Sequence, residues 1–342
     1  MRDAVLGVAA VVPLLLGSVV GGDEVDGRVE MRFQDPQITE ASGLVVRDGL
    51  VVTVNDSGDS ARIFTVDPAD GRTVGITTWD AKPVDDEALA PAGPGKVWVG
   101  DIGDNAAARP SVTVTRVPFG PGERHLAGTP YELVYPDGPV DAETLMADPG
   151  TGRLYIVSKE VFGGTVYAAP ETLDPDRPNR LEAVGSALGI ATDGAFLPDG
   201  QHVVVRDYRQ AAFYTWPDLD LVGEVQLPPE RQGEAIAVDE EFSIHVTSEG
   251  VEAPVLRVDV PTRLARQVAP ASAPIASPPP SPEVDREGSE LPEAPASDRP
   301  AWPWFLTGWI GLAVIVALVF ALRRPPKQRG HDEPPPGLDR PS

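Results

Sequence analysis

One short unit recurs five times along the chain: an acidic start, an apolar strand-like run, a tight turn, a second apolar run and a polar end. Its fullest copy begins at Asp85-Asp86-Glu87-Ala88-Leu89-Ala90 and turns at Pro94-Gly95. It then runs through the Val- and Trp-rich stretch 96–100 and stops at Asp101-Ile102-Gly103-Asp104-Asn105. β-branched and aromatic runs bounded by Pro-Gly and Asp-Gly pairs read as strands joined by turns. A second copy passes from Glu40-Ala41-Ser42-Gly43-Leu44 through Asp48-Gly49 to Asn55-Asp56-Ser57-Gly58-Asp59. A third passes from Asp141-Ala142-Glu143 to Ser158-Lys159-Glu160. The fourth links Thr192-Asp193-Gly194 to Arg206-Asp207-Tyr208, and the fifth links Gly233-Glu234-Ala235 to Ser248-Glu249-Gly250.

Glu40, Glu87, Glu143, Asp193 and Glu234 head these units at intervals of roughly 40 to 55 residues, the period of four-stranded propeller blades rather than of helical or leucine-rich repeats. Further strand-like runs at 62–67, 73–79, 111–117, 130–135, 165–169, 211–216, 221–227 and 255–260 supply outer strands. The expectation is an all-β, five-bladed β-propeller, a sixth degenerate blade being left open. Residues 29–33 are placed to close the ring beside the last blade.

The 342 residues also divide by composition. Residues 1–22, an apolar run behind Arg2 that ends in small residues, read as a signal peptide or an N-terminal anchor. Residues 28–268 make the propeller. Residues 269–301, rich in Pro, Ser, Ala and Glu, have too little apolar surface to fold and read as a tether. Residues 302–322 include a run of nineteen without a charge, from 304 to 322, long enough to cross a bilayer as one C-terminal transmembrane helix. Arg323, Arg324, Lys327 and Arg329 follow in the tail 323–342, which the positive-inside rule puts in the cytoplasm, leaving the propeller outside.

A net charge of −24 argues against nucleic acid as a partner, because phosphate recognition needs clustered Lys and Arg. The absence of cysteine removes disulfides, thiol catalysis and Cys-type zinc sites. His125, His202, His245 and His331 are isolated, and there is no G-x-S-x-G elbow or dinucleotide fingerprint.

Several phrases, among them Val52-Thr53-Val54-Asn55-Asp56, Asp101-Ile102-Gly103-Asp104-Asn105, Tyr135-Pro136-Asp137-Gly138 and Gly233-Glu234-Ala235-Ile236, resemble a family of secreted or membrane-anchored actinobacterial β-propeller proteins of unassigned function, phytase-like in style. The resemblance spans about residues 33–260 and implies fold and location rather than chemistry. Where that family has a Trp-Glu-Asp-Ile-Ala type sequence, this chain has Asp85-Asp86-Glu87-Ala88-Leu89-Ala90.

Innermost propeller strands line the central channel, so residues recurring at their starts form a ring. Glu40, Glu87, Glu143, Asp193 and Glu234 are therefore expected at one mouth, with Asp101, Asp104 and the polar ends Asn55, Asp56, Asn105, Glu160, Asp207 and Glu249 beside them. Converging hard oxygens suit Ca²⁺. Lys159 and Arg206 sit at equivalent strand ends and oppose that reading by offering internal salt bridges. The plainer alternative is that the acids accept hydrogen bonds from backbone N–H groups and lock each blade to its neighbour. The leading functional expectation is a membrane-anchored binding or scaffold module for an extracytoplasmic ligand or protein. Its rival is a calcium-dependent hydrolase, a phytase-like phosphoesterase or a lactonase.

Overall fold

A computed structural model of the protein describes residues 23–56 and 58–268. The signal peptide, tether, transmembrane helix and tail expected at 1–22, 269–301, 302–322 and 323–342 lie outside these residues. Among the described residues, no helix is long and apolar enough to cross a membrane.

Two N-terminal strands, β1 (Asp23–Glu24) and β2 (Gly27–Arg32), precede the first blade. That blade is built from β3 (Ala41–Arg47), β4 (Leu50–Asn55), β5 (Arg62–Val66) and β6 (Thr73–Trp79). The second has β7 (Asp86–Pro91), β8 (Lys96–Asp101), β9 (Val112–Pro118), the inserted β10 (Gly122–Leu126) and β11 (Pro130–Val134). The third has β12 (Ala142–Ala147), β13 (Leu154–Ser158), β14 (Gly164–Ala168), the inserted β15 (Asn179–Arg180) and β16 (Glu182–Ala187). The fourth comprises β17 (Asp193–Phe196), β18 (His202–Arg206), β19 (Gln210–Thr215) and β20 (Leu221–Gln226). The fifth opens with β21 (Gly233–Val238), β22 (Ile244–Ser248) and β23 (Pro254–Val258), and a short helix, α1 (Thr262–Val268), ends the described chain.

β2 completes the fifth blade by pairing antiparallel with β23, so the ring is closed by the N-terminal segment expected to do so. The result is a five-bladed propeller: five antiparallel sheets whose innermost strands β3, β7, β12, β17 and β21 neighbour one another in a closed circle.

Outer blade edges are a pairing hazard, and this chain covers three of them by one device. The segment leading into the last strand of a blade detours to add a parallel strand to the outer edge of the preceding blade. β10 does this to β6 and β15 to β11. In the fifth blade the termini interrupt that segment, and β1, just ahead of β2, pairs with β20 in the same way.

Five apolar clusters hold the ring, each between two adjacent blades. Val52, Ile63, Leu89 and Val99 join the first blade to the second, Leu133, Leu145 and Ile156 the second to the third, and Val157, Val166, Val203 and Val205 the third to the fourth. Val204, Phe213, Ile236 and Val246 join the fourth to the fifth, where Leu264 and Val268 of α1 also pack, and Phe33, Phe64 and Val255 join the fifth to the first. Fully burying one such side chain contributes about 1.5–3 kcal/mol, so the interfaces between blades dominate the stability.

In every blade the innermost strand starts at the mouth where the second strand ends. That mouth therefore collects the unit starts and the polar ends, while the turns at Asp48-Gly49, Pro94-Gly95 and Asp199-Gly200 lie at the opposite mouth.

Candidate metal centre at the acidic mouth

Cα pairing aligns the five units on Gly43, Ala88, Thr144, Gly194 and Ala235, which face Val54, Gly100, Val157, Val205 and Thr247 of the second strands. The residue just before each is Ser42, Glu87, Glu143, Asp193 or Glu234, all buried. In four of the five units that residue is the extra one of a β-bulge, and a bulge re-aims a side chain out of the regular alternation.

Glu40 is not in this ring. It lies two positions earlier, level with Asp85 and Asp141, and it is exposed. Its alignment with Glu87 is corrected to Ser42, whose hydroxyl donates to Glu87 Oε2 at 2.7 Å.

The two acids of the Asp-Ile-Gly-Asp-Asn motif also take a different place from that expected. Asp101 pairs with Arg109 at 2.8 Å, and its carboxylate accepts from the backbone N–H groups of Asp85, at 2.9 Å, and Val84, at 3.2 Å. Asp104 accepts from the Arg109 N–H at 2.7 Å, and its own N–H donates to Asp141 at 2.8 Å. Asp101 is thus spent on holding the segment that carries Asp85, and Asp104 on closing its own loop onto Arg109. Gly103 belongs to the same device, because a Cβ there would lie 2.4 Å from Asp85 Oδ2. Asn55 repeats the logic in the first blade: its Oδ1 accepts from the N–H groups of Thr39 and Glu40.

Asp193 is fully buried and accepts from Gly194 N–H and Ile236 N–H, both at 2.8 Å. It therefore performs the plainer role, tying the fourth blade to the fifth. Arg206, also fully buried, pairs with Glu230 at 2.8 Å and donates to Ala235 O at 3.0 Å.

What converges is a different subset. Oxygens of Asp56, Asp85 and Glu87 lie within 4.8 Å of one another, contributed by the end of the first blade's second strand and the start of the next blade. Burial, reinforced by the negative charges of Glu143, Asp56 and Asp85, raises the Glu87 carboxyl far above the usual range, against the lowering hydrogen bond from Ser42. Asp85 is raised by burial and by Asp56 and Asp141. Glu234 is raised by burial, and at the rim Glu249 is pushed up to about 7 by burial and by Glu234, Asp56 and Glu40.

Lys159 supplies a positive charge to one side of this mouth. Its ammonium donates to Glu143 Oε1 and lies 5.2 Å from the Tyr208 ring centre. Burial works against the charged ammonium, but Glu143 and Tyr208 more than offset it and hold Lys159 above the ordinary lysine range. Glu143 is raised by burial in spite of Lys159. Tyr208 is likewise raised by burial, so neither Lys159 nor Tyr208 serves as a base near neutral pH.

The donor set fits calcium. Asp56, Asp85 and Glu87 offer hard carboxylate oxygens and no imidazole or thiolate, the ligand type that calcium accepts with flexible geometry. The described histidines lie elsewhere: His125 on Asp80, His202 on Asp199, and His245 between Glu30 and Asp239.

No protein-family model matches the chain, and no curated protein does. Of the family expected from the sequence, only the propeller fold is shown, and no match supports the actinobacterial family. Among solved structures, Myxococcus xanthus glutaminyl cyclase is 11% identical with a TM-score of 0.46, covering 70% of this chain and 100% of that one. A gluconolactonase from Xanthomonas campestris is 12% identical with a TM-score of 0.43, covering 69% and 96%, and a chain of a nidogen/laminin complex is 14% identical with a TM-score of 0.38, covering 62% and 73%. At these identities the likeness carries no activity over to this chain.

Proposed function

We propose that this chain is a membrane-anchored, extracytoplasmic β-propeller that acts as a binding module and holds a calcium ion at its acidic mouth. One observation carries the metal: Asp56, Asp85 and Glu87 bring their oxygens within 4.8 Å of one another around a buried carboxyl raised by its neighbours' negative charge. Such a cluster takes up a positive charge at neutral pH, either as a proton on Glu87 or as a cation. A divalent cation satisfies all three carboxylates at once, whereas a proton relieves one.

The extracytoplasmic placement rests on the sequence pattern at residues 302–329: an uncharged stretch followed by Arg323, Arg324, Lys327 and Arg329. A reporter fused after Ser342 and scored for cytoplasmic activity tests it. External protease should release the propeller by cutting within 269–301, and survival of that tether under protease contradicts the orientation.

A second reading, calcium-dependent hydrolysis, is favoured by Glu249. A carboxyl held at about 7 beside the cluster has the proton affinity of a general base for water. Turnover of a phosphoester or lactone that disappears with chelator and in Glu249→Gln supports this reading. Calcium binding without turnover leaves the binding module.

A further inference from the structure

Building on the binding-module reading, we infer that the acidic mouth is the docking face for a basic protein segment, one that sets Lys or Arg among apolar side chains and is gripped by apolar residues that the loops of this mouth hold out into solvent. Val84, Val161, Phe162 and Val251 are exposed, and all four lie on segments of this mouth: Val84 on the approach to β7, Val161 and Phe162 between β13 and β14, and Val251 between β22 and β23. The other exposed large hydrophobics of the described residues, Val29, Val184 and Leu221, lie on the fourth strands β2, β16 and β20. A single exposed apolar side chain needs no explanation, whereas several on one face mark a contact surface. Phe162 is fully exposed, yet its loop is held in place. Glu160 O accepts from Ile190 N–H at 2.8 Å, and the Glu160 carboxylate accepts from the Ser158 and Thr165 hydroxyls. The loop lies so close on Gly189 that a Cβ there would stand 2.8 Å from Val161 O. A ring presented in a fixed position lowers the ordering cost of contact.

Charge selects the partner. Asp85 follows Val84 directly, and Glu249 and Glu252 flank Val251. Glu249 is raised by burial and then by the negative charges of Glu234, Asp56 and Glu40, so these carboxylates crowd one rim. The cations Arg62, Arg109 and Lys159 are each paired with an acid, Asp59, Asp101 and Glu143, while Lys82, Arg209 and Arg231 are exposed. A basic segment complements this face: its charged heads meet the carboxylates and its aliphatic stems lie along the valines and Phe162. An anionic lipid surface is repelled by the same charge. Calcium on Asp56, Asp85 and Glu87 still leaves Glu40, Glu249 and Glu252 to the partner.

Fluorescence anisotropy of a short amidated peptide of alternating lysine and leucine, titrated with the full-length chain in chelator, tests this. Saturable binding of one peptide per chain is expected, weakening as salt rises. Phe162→Ser should weaken it roughly tenfold, the lower end of what burying one phenylalanine is worth, with an unchanged melting temperature because the ring is fully exposed. Val184→Ser, the same kind of change on an outer strand, should leave binding as it is. No saturable binding, equal binding in Phe162→Ser, an equal loss in Val184→Ser, or equal affinity for the peptide with glutamate in place of lysine overturns the inference. A dimer that dissociates in Phe162→Ser overturns it in favour of a second copy of the chain. A dye on Val161→Cys, the one thiol of that variant, that shifts to the blue with phosphatidylcholine vesicles but not with peptide overturns it in favour of a lipid surface. Calcium heat without peptide binding removes only this partner, and peptide binding without calcium heat removes only the metal.

Discussion

Lys159 sets its ammonium directly on the carboxylate of Glu143, so the protein brings a positive charge of its own to the acidic mouth. The ring is thereby divided. Glu143 has an internal counter-ion, whereas Glu87, on the neighbouring blade, has a serine hydroxyl and two further carboxylates.

Removing the internal cation should therefore change what the mouth takes up. In Lys159→Met the mouth loses a positive charge that opposes an incoming cation. Calcium affinity should rise about tenfold, the effect of one favourable charge of about 1.4 kcal/mol, while the calcium-free protein melts lower. Calorimetric titration of variant and parent reads both. Unchanged affinity would show that Lys159 and the calcium site do not communicate.

Asp193 should behave as structure alone. Its two backbone partners, Gly194 and Ile236, are left unpaired in Asp193→Ala, which should cost on the order of 1–3 kcal/mol. Chemical denaturation should give the same loss in calcium and in chelator. A loss seen only with calcium would return Asp193 to the metal site.

The pH dependence of the calcium-free protein follows from the raised carboxyls. Glu249 at about 7 and Asp86, raised to about 8 by burial and by Asp101 and Asp59, bind protons more tightly folded than unfolded. Their contribution to stability is fully present below the unfolded carboxyl range, near pH 4, and is lost as pH rises through about 7 to 8. The melting temperature in chelator should fall across that window, and calcium should flatten the fall. A melting temperature that rises from pH 5 to pH 8 in chelator contradicts this.

Much of the fold was legible because the unit repeats. Alternating apolar runs ending in Asp-Gly and Pro-Gly turns marked the inner strands, and residues 29–33 overlap the closing strand β2. The parallel edge strands were not legible. β10 reads Gly-Glu-Arg-His-Leu and β15 is two residues long, so neither shows alternation, and they exist because a neighbouring edge needs a partner. β16, with five of six residues exposed, is hidden for the same reason.

At the site, the acids were visible and their division of labour was not. Taking the glutamates as the heads of the units put Glu40 level with Glu87, whereas the strand pairing aligns Leu44 with Leu89 and puts Ser42 there. Asp101 and Asp104 looked like ligands by composition, but Arg109 and the backbone of residues 84–85 and 109 take up their oxygens, which only the folded loop reveals. A hint was available in the glycine between them, since Gly103 is the position where the Asp85 carboxylate needs room.

The central claim is that Asp56, Asp85 and Glu87 hold calcium, and calorimetric titration of the full-length chain with calcium tests it most directly. One ion per chain should bind with a Kd on the order of 10⁻⁵ to 10⁻³ M, from the weak end of sensor sites to extracellular modules. Glu87→Gln should weaken that binding at least tenfold without lowering the melting temperature in chelator. Absence of any saturable calcium heat up to about ten times the upper end of that range, or binding undiminished in Glu87→Gln, would contradict the account and leave these carboxylates as a proton-sharing cluster.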